Sequence, residues 1–344
     1  MLLNPASPRQ SAALRQRQVR RRRAASAVAL IVLALAILLG LMASKANTPV
    51  RHGRRAVGSG RAPAGHSQAT QAPAAARPSW GLHPAPASEQ VSVRIAGQQL
   101  RGGLLFDVWT GAVLWERHPG RALPIASLTK MMTALVVVAN SKPSDHVLIT
   151  TAATHFTGSG VGLLPLNKKV PELALLYGLL LPSGNDAAIA LAQHVAGNQA
   201  RFIRMMNAGA QAMGLGCTHF TTVSGIVDAG NYSCANDLAV MAHAVLEQPL
   251  LGRIVASPTA IVPFPIKGGK LYLYNNNPLL ITGYPGADGV KTGYTQASGP
   301  CLVAAARRGH AWLAVVLLNS ANTLEQAERL MNAGFARLRR VRTG

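Results

Sequence analysis

The first 88 residues of this 344-residue chain contain no acidic residue, although they carry 13 of its 34 Lys and Arg residues. The remaining 21 basic and 12 acidic residues give the rest of the chain a charge of +9, so much of the net charge of +22 belongs to the N-terminal tail. A basic balance can indicate nucleic-acid binding. Here, however, the arginine cluster adjoins an apolar segment, an arrangement typical of the cytoplasmic side of a membrane protein and of contact with anionic lipid. We therefore predict no nucleic-acid partner.

Cysteine is also scarce, since the chain has only Cys217, Cys234 and Cys301. They form no C-x-x-C motif, which argues against a zinc finger or a redox dithiol. An exported domain would be able to form one disulfide and leave one thiol, but the sequence does not choose the pair. Seven histidines of the folded part lack the i, i+4 spacing of helical zinc sites, so we predict no metal and no cofactor. These are His118, His146, His155, His194, His219, His243 and His310.

Composition divides the chain into four parts. Residues 1–23 form a basic cytoplasmic tail, and the uncharged segment 24–44 is, at about 20 residues, long enough to span a bilayer as a transmembrane helix or signal anchor. Residues 45–89 contain few large apolar side chains, which predicts a disordered spacer rich in Pro, Ala and Arg. Residues 90–344 form one folded domain. We expect a single-pass protein of the cytoplasmic membrane with its N-terminus inside and its domain periplasmic or extracytoplasmic, with secretion after cleavage as the alternative.

Periodicity predicts strands at both ends of this domain and helices in its middle. The predicted strands are Val91–Ile95, Gly103–Val108, Ala112–Glu116, Ile261–Phe264, Leu271–Tyr274, Gly289–Gly293, Cys301–Ala306 and Trp312–Leu318. The predicted helices are Ser127–Asn140, Pro171–Leu180, Asp186–Val195, Arg201–Met213, Cys234–Leu246 and Thr323–Leu338. This order favours an α/β (α+β) fold, in which an antiparallel sheet made from both ends of the chain has flanking helices and packs against a helical lobe.

A first candidate motif is Ser127–Lys130, at the start of a predicted helix. Residues three apart lie on one helix face, so the Ser127 hydroxyl and the Lys130 amine are expected to be within reach of one another. Apolar residues follow Lys130, and desolvation favours the neutral amine that can accept a proton from a nucleophilic serine. A serine N-cap followed by a surface lysine is the alternative.

A second motif, Ser183–Asn185, lies between an apolar run and the next predicted helix. The Ser183 hydroxyl would be able to relay a proton to a leaving group, while the Asn185 amide would hold both Lys130 and a substrate carbonyl. A simple turn with a helix cap explains the same residues.

The third motif, Lys291–Gly293, ends a predicted strand and is followed by Tyr294. Gly293 leaves room for a substrate to pair with the strand edge, and Lys291 and Thr292 would be able to bind a terminal carboxylate. A hairpin corner with an exposed lysine is the alternative.

Together, S-x-x-K, S-x-N and K-T-G in this order are a signature of penicillin-binding proteins and β-lactamases. The chain from about Val91 onward resembles the low-molecular-mass penicillin-binding proteins, which are D-alanyl-D-alanine carboxypeptidases of serine peptidase family S11. The resemblance extends over the blocks Pro124–Ala134, Leu176–Ala188 and Asp288–Thr295.

The resemblance implies a β-lactamase/transpeptidase-like fold and a carboxypeptidase that cleaves peptidoglycan stem peptides ending in D-Ala-D-Ala. Ser127 would be acylated with Lys130 as base, while the backbone N–H groups of Ser127 and Tyr294 would form the oxyanion hole. Ser183 and Asn185 would assist catalysis, and β-lactam antibiotics would be covalent inhibitors. The N-terminal helix would place the enzyme against cytoplasmic membrane lipid.

Some positions depart from the family pattern. Relatives often have His-Gly-Leu where this chain has Val223–Ile226, a difference that we interpret as peripheral. Many also have an arginine just before the final helix, whereas Ala321–Leu324 contains none, so we expect an altered substrate affinity or preference.

Three other functions use the same motifs. A class A β-lactamase needs a glutamate soon after the second motif, and no glutamate occurs between Asn185 and Glu247. Endopeptidase or transpeptidase activity on cross-linked peptides uses the same machinery and stays open. A non-catalytic wall-binding relative would show lesions in the motifs, and these motifs are intact.

Overall fold

The computed structural model describes residues Trp80–Thr343 except Leu163. The predictions for residues 1–23, for 24–44 and for the spacer up to residue 79 lie outside the described residues.

The central feature is a six-stranded sheet made from both ends of the domain. Its strand order is β1-β3-β2-β12-β11-β10, with β1 parallel to β3 and every other neighbour antiparallel. These strands are β1 (His83–Pro84), β2 (Leu100–Asp107), β3 (Ala112–Arg117), β10 (Ala287–Thr295), β11 (Gly299–Arg308) and β12 (Ala311–Ser320). The predicted sheet from both chain ends is thus confirmed.

Three further strand pairs are short. They are β4 (Leu123–Pro124) with β7 (Tyr232–Ser233), β5 (His146–Leu148) with β6 (Lys169–Pro171), and β8 (Thr259–Pro263) with β9 (Lys270–Tyr274). The first of these pairs fixes the chain just before Ser127, because Pro124 pairs with Tyr232.

The helices confirm most of the predicted helical middle. They are α1 (Lys130–Asn140), α2 (Thr151–Thr154), α3 (Glu172–Leu180), α4 (Asn185–Ala196), α5 (Gln199–Ala212), α6 (Ala235–Glu247), α7 (Pro249–Ala256), α8 (Pro278–Ile281) and α9 (Thr323–Thr343). A 3-10 turn, Ala126–Thr129, leads directly into α1.

Helices cover both faces of the sheet, which explains why β11 and β12 are almost continuously apolar. Alternate residues of β12 enter different clusters: Val316 packs with the helical lobe, whereas Val315 packs with Leu330 and Met331 of α9. Successive side chains of a strand point to opposite faces of the sheet, so β12 contributes to two hydrophobic cores.

The folded domain begins earlier than the sequence pattern indicates. The indole of Trp80 donates a hydrogen bond of 3.0 Å to the carbonyl of Val108 and stacks on His243 at a ring distance of 3.8 Å. His83–Pro84 then forms β1 on Ala112–Val113. The last residues assigned to the spacer, 80–89, thus belong to the domain, because one tryptophan and a two-residue edge strand stabilise a segment whose composition is otherwise that of a linker.

One other prediction was wrong. Val91–Ile95 is extended but forms no strand, since its alternation arises from packing: the indole N–H of Trp115 and the guanidinium of Arg117 donate to the carbonyls of Val93 and Ile95. The helix α7 was not predicted at all. The Gln248 side chain caps this helix by accepting from the N–H of Leu251.

The structure also selects the cysteine pair that the sequence left open. Cys217 and Cys234 form a disulfide with a Cα–Cα distance of 5.9 Å. Cys301 is a buried thiol on β11, and burial is the main cause that raises its pKa to about 11. At neutral pH this thiol is therefore protonated and inert.

Within the described residues, no single helix has both the length and the apolar composition needed to cross a bilayer. Only α6 and α7 together meet the criteria of length and composition, and they are bent by 100° at their junction.

Candidate active site

The turn at the start of α1 brings the residues of the first motif together. The Lys130 Nζ and Ser127 Oγ atoms are 2.9 Å apart. Ser127 is half-buried, and the preceding Ala126 has a left-handed backbone with φ of +47°. Such a conformation is uncommon for a residue other than glycine and often occurs at functional sites.

The amine of Lys130 is fully buried and is surrounded by acceptors from three parts of the chain. Besides Ser127, it contacts Asn185 Oδ1 at 2.6 Å and the backbone carbonyl of Ser224 at 2.9 Å. Burial is the main cause that lowers the pKa of Lys130 well below its usual value; the positive charge of Lys291 adds to this shift and the carboxylate of Asp186 opposes it. The neutral amine is therefore more accessible than that of an exposed lysine and is able to take a proton from Ser127.

The second motif lies at the junction of α3 and α4. Ser183 is 5% exposed, has φ of +70°, and its hydroxyl has no hydrogen-bond partner among the described residues. Asn185 begins α4 and is held from both sides, because its Nδ2 donates to the carbonyl of Thr157 at 2.6 Å while its Oδ1 contacts Lys130. Asn185 is thus fixed, whereas the Ser183 hydroxyl is free to bond a substrate.

The third motif occupies the edge strand β10, which pairs only with β11 in the described part of the sheet. Lys291 is 1% exposed, Thr292 is half-buried and Tyr294 is 66% exposed. Gly293 lies against the turn of the first motif, since an added Cβ would be 3.1 Å from the backbone nitrogen of Ser127. The free edge of β10 and Ser127 therefore lie next to one another.

Lys291 is the second buried amine of the site, and its Nζ donates to the carbonyl of Thr292 at 2.9 Å. Burial lowers its pKa to about 7. An anionic ligand would raise this pKa again, because an opposite charge favours the protonated amine. Lys291 is thus suited to bind a carboxylate that arrives with the substrate.

One segment, which closes the site behind Lys130, has no motif that predicts its role. The Ser224 carbonyl accepts from Lys130, and Gly225, with φ of +77°, packs so closely on Ala126 that an added Cβ would overlap the Ala126 carbonyl oxygen. The segment Val223–Ile226 thus belongs to the site, although it contributes through its backbone and not through the side chains that differ from the family pattern. Every residue type has a backbone carbonyl, so a sequence does not show which carbonyl will act as an acceptor. An isolated glycine beside a serine can, however, indicate a close backbone approach.

Asp186 is a further contributor that the motif did not single out. Its buried carboxylate accepts from the backbone N–H groups of Val161 and Gly162, each at 2.9 Å. The neighbouring backbone N–H of Asn185 donates to the backbone carbonyl of Ser159 at 2.8 Å. Together these bonds fix the loop that runs beside the second motif.

The structure thus brings Ser127, Lys130, Ser183 and Asn185 together with the edge strand that carries Lys291. Their functional groups are hydroxyls, an amide and amines, which provide a nucleophile, proton carriers and a cation. A metal site would call for carboxylate, imidazole or thiolate donors.

Comparison with known proteins gives a consistent result. Residues 93–322 match the family Peptidase_S11, described as D-alanyl-D-alanine carboxypeptidase. The chain is 31% identical over 246 residues to the D-alanyl-D-alanine carboxypeptidase DacF of Bacillus subtilis, covering 69% of this chain and 62% of that protein. It is 36% identical over 253 residues to DacB2 of Mycobacterium tuberculosis, covering 71% of this chain and 85% of that protein.

Among solved structures, the Streptomyces K15 DD-transpeptidase superposes with a TM-score of 0.66 at 33% sequence identity. The match covers 71% of this chain and 100% of that one. The β-lactamase/transpeptidase-like fold implied by the sequence is therefore confirmed.

Proposed function

Because the chain belongs to the D-alanyl-D-alanine carboxypeptidase family of serine peptidases, Peptidase_S11, we propose that it removes the terminal D-Ala from peptidoglycan stem peptides through an acyl-serine intermediate. The observation that carries the proposal is the fully buried Lys130 amine, held between Ser127 Oγ at 2.9 Å and Asn185 Oδ1 at 2.6 Å. A serine beside a neutral amine is an activated nucleophile.

In the acylation step, Ser127 Oγ attacks the carbonyl carbon of the penultimate D-Ala while Lys130 accepts the hydroxyl proton. The backbone N–H groups of Ser127 and Tyr294 would stabilise the oxyanion, and the packing of Gly293 on Ser127 keeps these two backbone segments adjacent. The peptide C–N bond then breaks and leaves the acyl group on Ser127.

The leaving D-Ala nitrogen must gain a proton as that bond breaks. The unpartnered Ser183 hydroxyl is the candidate relay from Lys130, since a proton carrier must be free to reorient toward the substrate. Water hydrolyses the ester in the second step, with the same residues acting in reverse.

Terminal carboxylate recognition falls to Lys291 and Thr292. The substrate would lie along the open edge of β10 and add a short strand to the sheet. Since Ala321–Leu324 lacks an arginine, more of the carboxylate recognition would rest on Lys291 than in relatives that have one.

A fluorescent penicillin tests the acyl-serine site directly. Incubation with the full-length chain should give one covalent adduct, located on Ser127 by peptide mass spectrometry, and Ser127→Ala should give none. Release of D-Ala from a stem-peptide analogue should disappear in the same variant. Rapid penicillin turnover without D-Ala release would instead indicate a β-lactamase, and intact motifs without adduct or turnover would indicate a binding protein.

The pH dependence of substrate binding follows from Lys291. Its pKa of about 7 means that the charged amine predominates below pH 7 and is lost as the pH rises. The KM for a peptide with a free terminal carboxylate should therefore increase above pH 7, approaching tenfold per pH unit. Steady-state kinetics between pH 6 and about 9 measure this.

Lys291→Arg is the matched variant, because arginine stays charged throughout this range. It should flatten the rise in KM even if the absolute affinity falls. A KM that stays constant above pH 7 in the wild type would show that the Lys291 charge does not bind the carboxylate.

Transpeptidation is a second candidate function, favoured by the complete coverage of a solved DD-transpeptidase. Both reactions share the acyl-enzyme and differ only in whether water or an amine attacks it. Adding a D-amino acid or a peptide amine to the assay separates them, since a transpeptidase diverts the acyl group to the amine.

For localisation we propose that residues 24–44 anchor the chain in the cytoplasmic membrane, with the enzyme outside the cytoplasm. Support comes from the uncharged segment and the preceding arginines. Mass analysis of the membrane-extracted protein should find an intact N-terminus, whereas a new N-terminus after this segment would indicate secretion.

A further inference from the structure

Three potential metal-ligating side chains converge at the end of the helical lobe opposite the catalytic residues. Asp145 precedes β5, Glu172 begins α3, and His194 lies in the last turn of α4. Their ligand atoms all lie within 4.8 Å of one another. Since the three residues come from separate segments, no sequence spacing indicated this cluster.

Glu172 is the unusual member. Its side chain is 0% exposed, and neither carboxylate oxygen has a hydrogen-bond partner among the described residues. The nearby hydroxyl of Ser141 donates instead to the carbonyl of Val137 at 2.8 Å. A buried carboxylate without a hydrogen-bond partner is costly, and its nearby cationic group, His194 Nε2, lies 3.6 Å away, so the position suits an additional ligand.

The distances fit an ion better than hydrogen bonds. His194 Nε2 lies 3.5 Å from Asp145 Oδ2 and 3.6 Å from Glu172 Oε2, both longer than a good hydrogen bond. Nitrogen and oxygen ligands about 2.1 Å from a tetrahedral zinc ion are about 3.4 Å from one another. The two distances from His194 therefore match two edges of such a tetrahedron, and the two carboxylate oxygens lie within 4.8 Å of one another.

We propose that Asp145, Glu172 and His194 bind a divalent transition-metal ion of the Zn²⁺ type. The imidazole ligand favours this class over Mg²⁺ and Ca²⁺, which take oxygen ligands. Asp145 and His194 are partly exposed, with side-chain exposures of 37% and 25%, which gives the ion a path from solvent and leaves its fourth position to water.

The location predicts a stabilising ion with no part in the chemistry. His194 is nine residues after Asn185 on α4, about 13 Å along the helix axis. The ion would join the start of α3 and the end of α4 to the segment that follows α1. These are the three helices whose opposite ends carry Ser183, Asn185 and Lys130.

Zinc titration of the full-length chain, first stripped with a chelator, tests the proposal. Elemental analysis should find one tightly held Zn²⁺ per chain, and a hundredfold excess over the dissociation constant should raise the unfolding temperature by about 5 °C. Mg²⁺ should produce no shift. Penicillin acylation should proceed at the same rate with and without Zn²⁺.

His194→Gln and Asp145→Asn remove one ligand each and should weaken Zn²⁺ binding about a hundredfold or more. His310→Gln is the matched control, because this exposed histidine lies far along the chain in the turn between β11 and β12. It should bind Zn²⁺ like the wild type.

Two results would overturn the proposal. The first is that the ligand variants bind Zn²⁺ as tightly as the control. The second is that Zn²⁺ does not change the unfolding temperature of the wild type.

Discussion

Lys130→Gln slows the acylation of Ser127 by penicillin about 10³- to 10⁴-fold, the expected loss when a positioned general base is removed. Glutamine retains a polar group of similar reach, but its amide does not accept the hydroxyl proton. Stopped-flow or gel-based acylation rates measure the effect, and the unfolding temperature shows whether the variant stays folded.

Lys130→Arg distinguishes two roles of Lys130: accepting the proton of Ser127 and holding the neighbouring groups in place through its positive charge. Arginine keeps a cation beside Asn185 Oδ1 and the Ser224 carbonyl yet stays protonated, so it should be as slow as glutamine. Lys291→Gln should keep the Ser127–Lys130 pair and weaken substrate binding more than it slows the acyl transfer. Acylation within tenfold of the wild-type rate in both Lys130 variants would rule out the amine as the base.

Gly225→Ala should destabilise the fold by about 3 kcal/mol and should disable the site at the same time. Its φ of +77° alone costs an L-residue of order 1 kcal/mol, and the new methyl group would overlap the Ala126 carbonyl and lie 2.7 Å from Thr129 Oγ1. Relief of this overlap would move either the turn that presents Ser127 or the Ser224 carbonyl that holds Lys130. Chemical denaturation and penicillin acylation measure the two effects.

Gly214→Ala is the control for backbone strain. Gly214 has a similar φ of +70°, but no atom lies within 4 Å of the position of an added Cβ. It should cost only about 1 kcal/mol and leave acylation unchanged. Equal losses in the two variants would show that the close approach of Gly225 to Ala126 contributes little.

The sequence predicted the layered fold because its strongest signals are long and periodic. The continuous apolar run Trp312–Leu318 and the three- and four-residue spacing in Arg201–Met213 both reflect burial within one element. Predictions failed where a short segment depends on distant partners. The Trp80 segment is ordered by contacts with Val108 and His243, and α7 contains both Pro249 and Gly252, which mask a helical pattern.

In the candidate site, too, some contributions were visible in the sequence and others depend on distant partners. Each motif residue was found from its side-chain type, because hydroxyls and amines at fixed spacing are visible in a sequence. The Ser224 carbonyl is a backbone group, and Asp186 acts on backbone N–H groups of a loop 24 and 25 residues away, so neither contribution has a local pattern.

The position of β12 between β2 and β11 has a consequence for biogenesis. Gln326 in α9 donates to the carbonyl of Gln99 across 227 residues, and β2 pairs with no strand but β3 until β12 has been synthesised. An exposed strand edge is prone to aggregation, and pairing over such sequence separation is slow. A chain that is synthesised from its N-terminus must therefore keep the β2–β3 hairpin protected through nearly the whole of translation. Premature termination before Ala311 would release a chain that cannot complete the sheet, even though all three motifs had already been made.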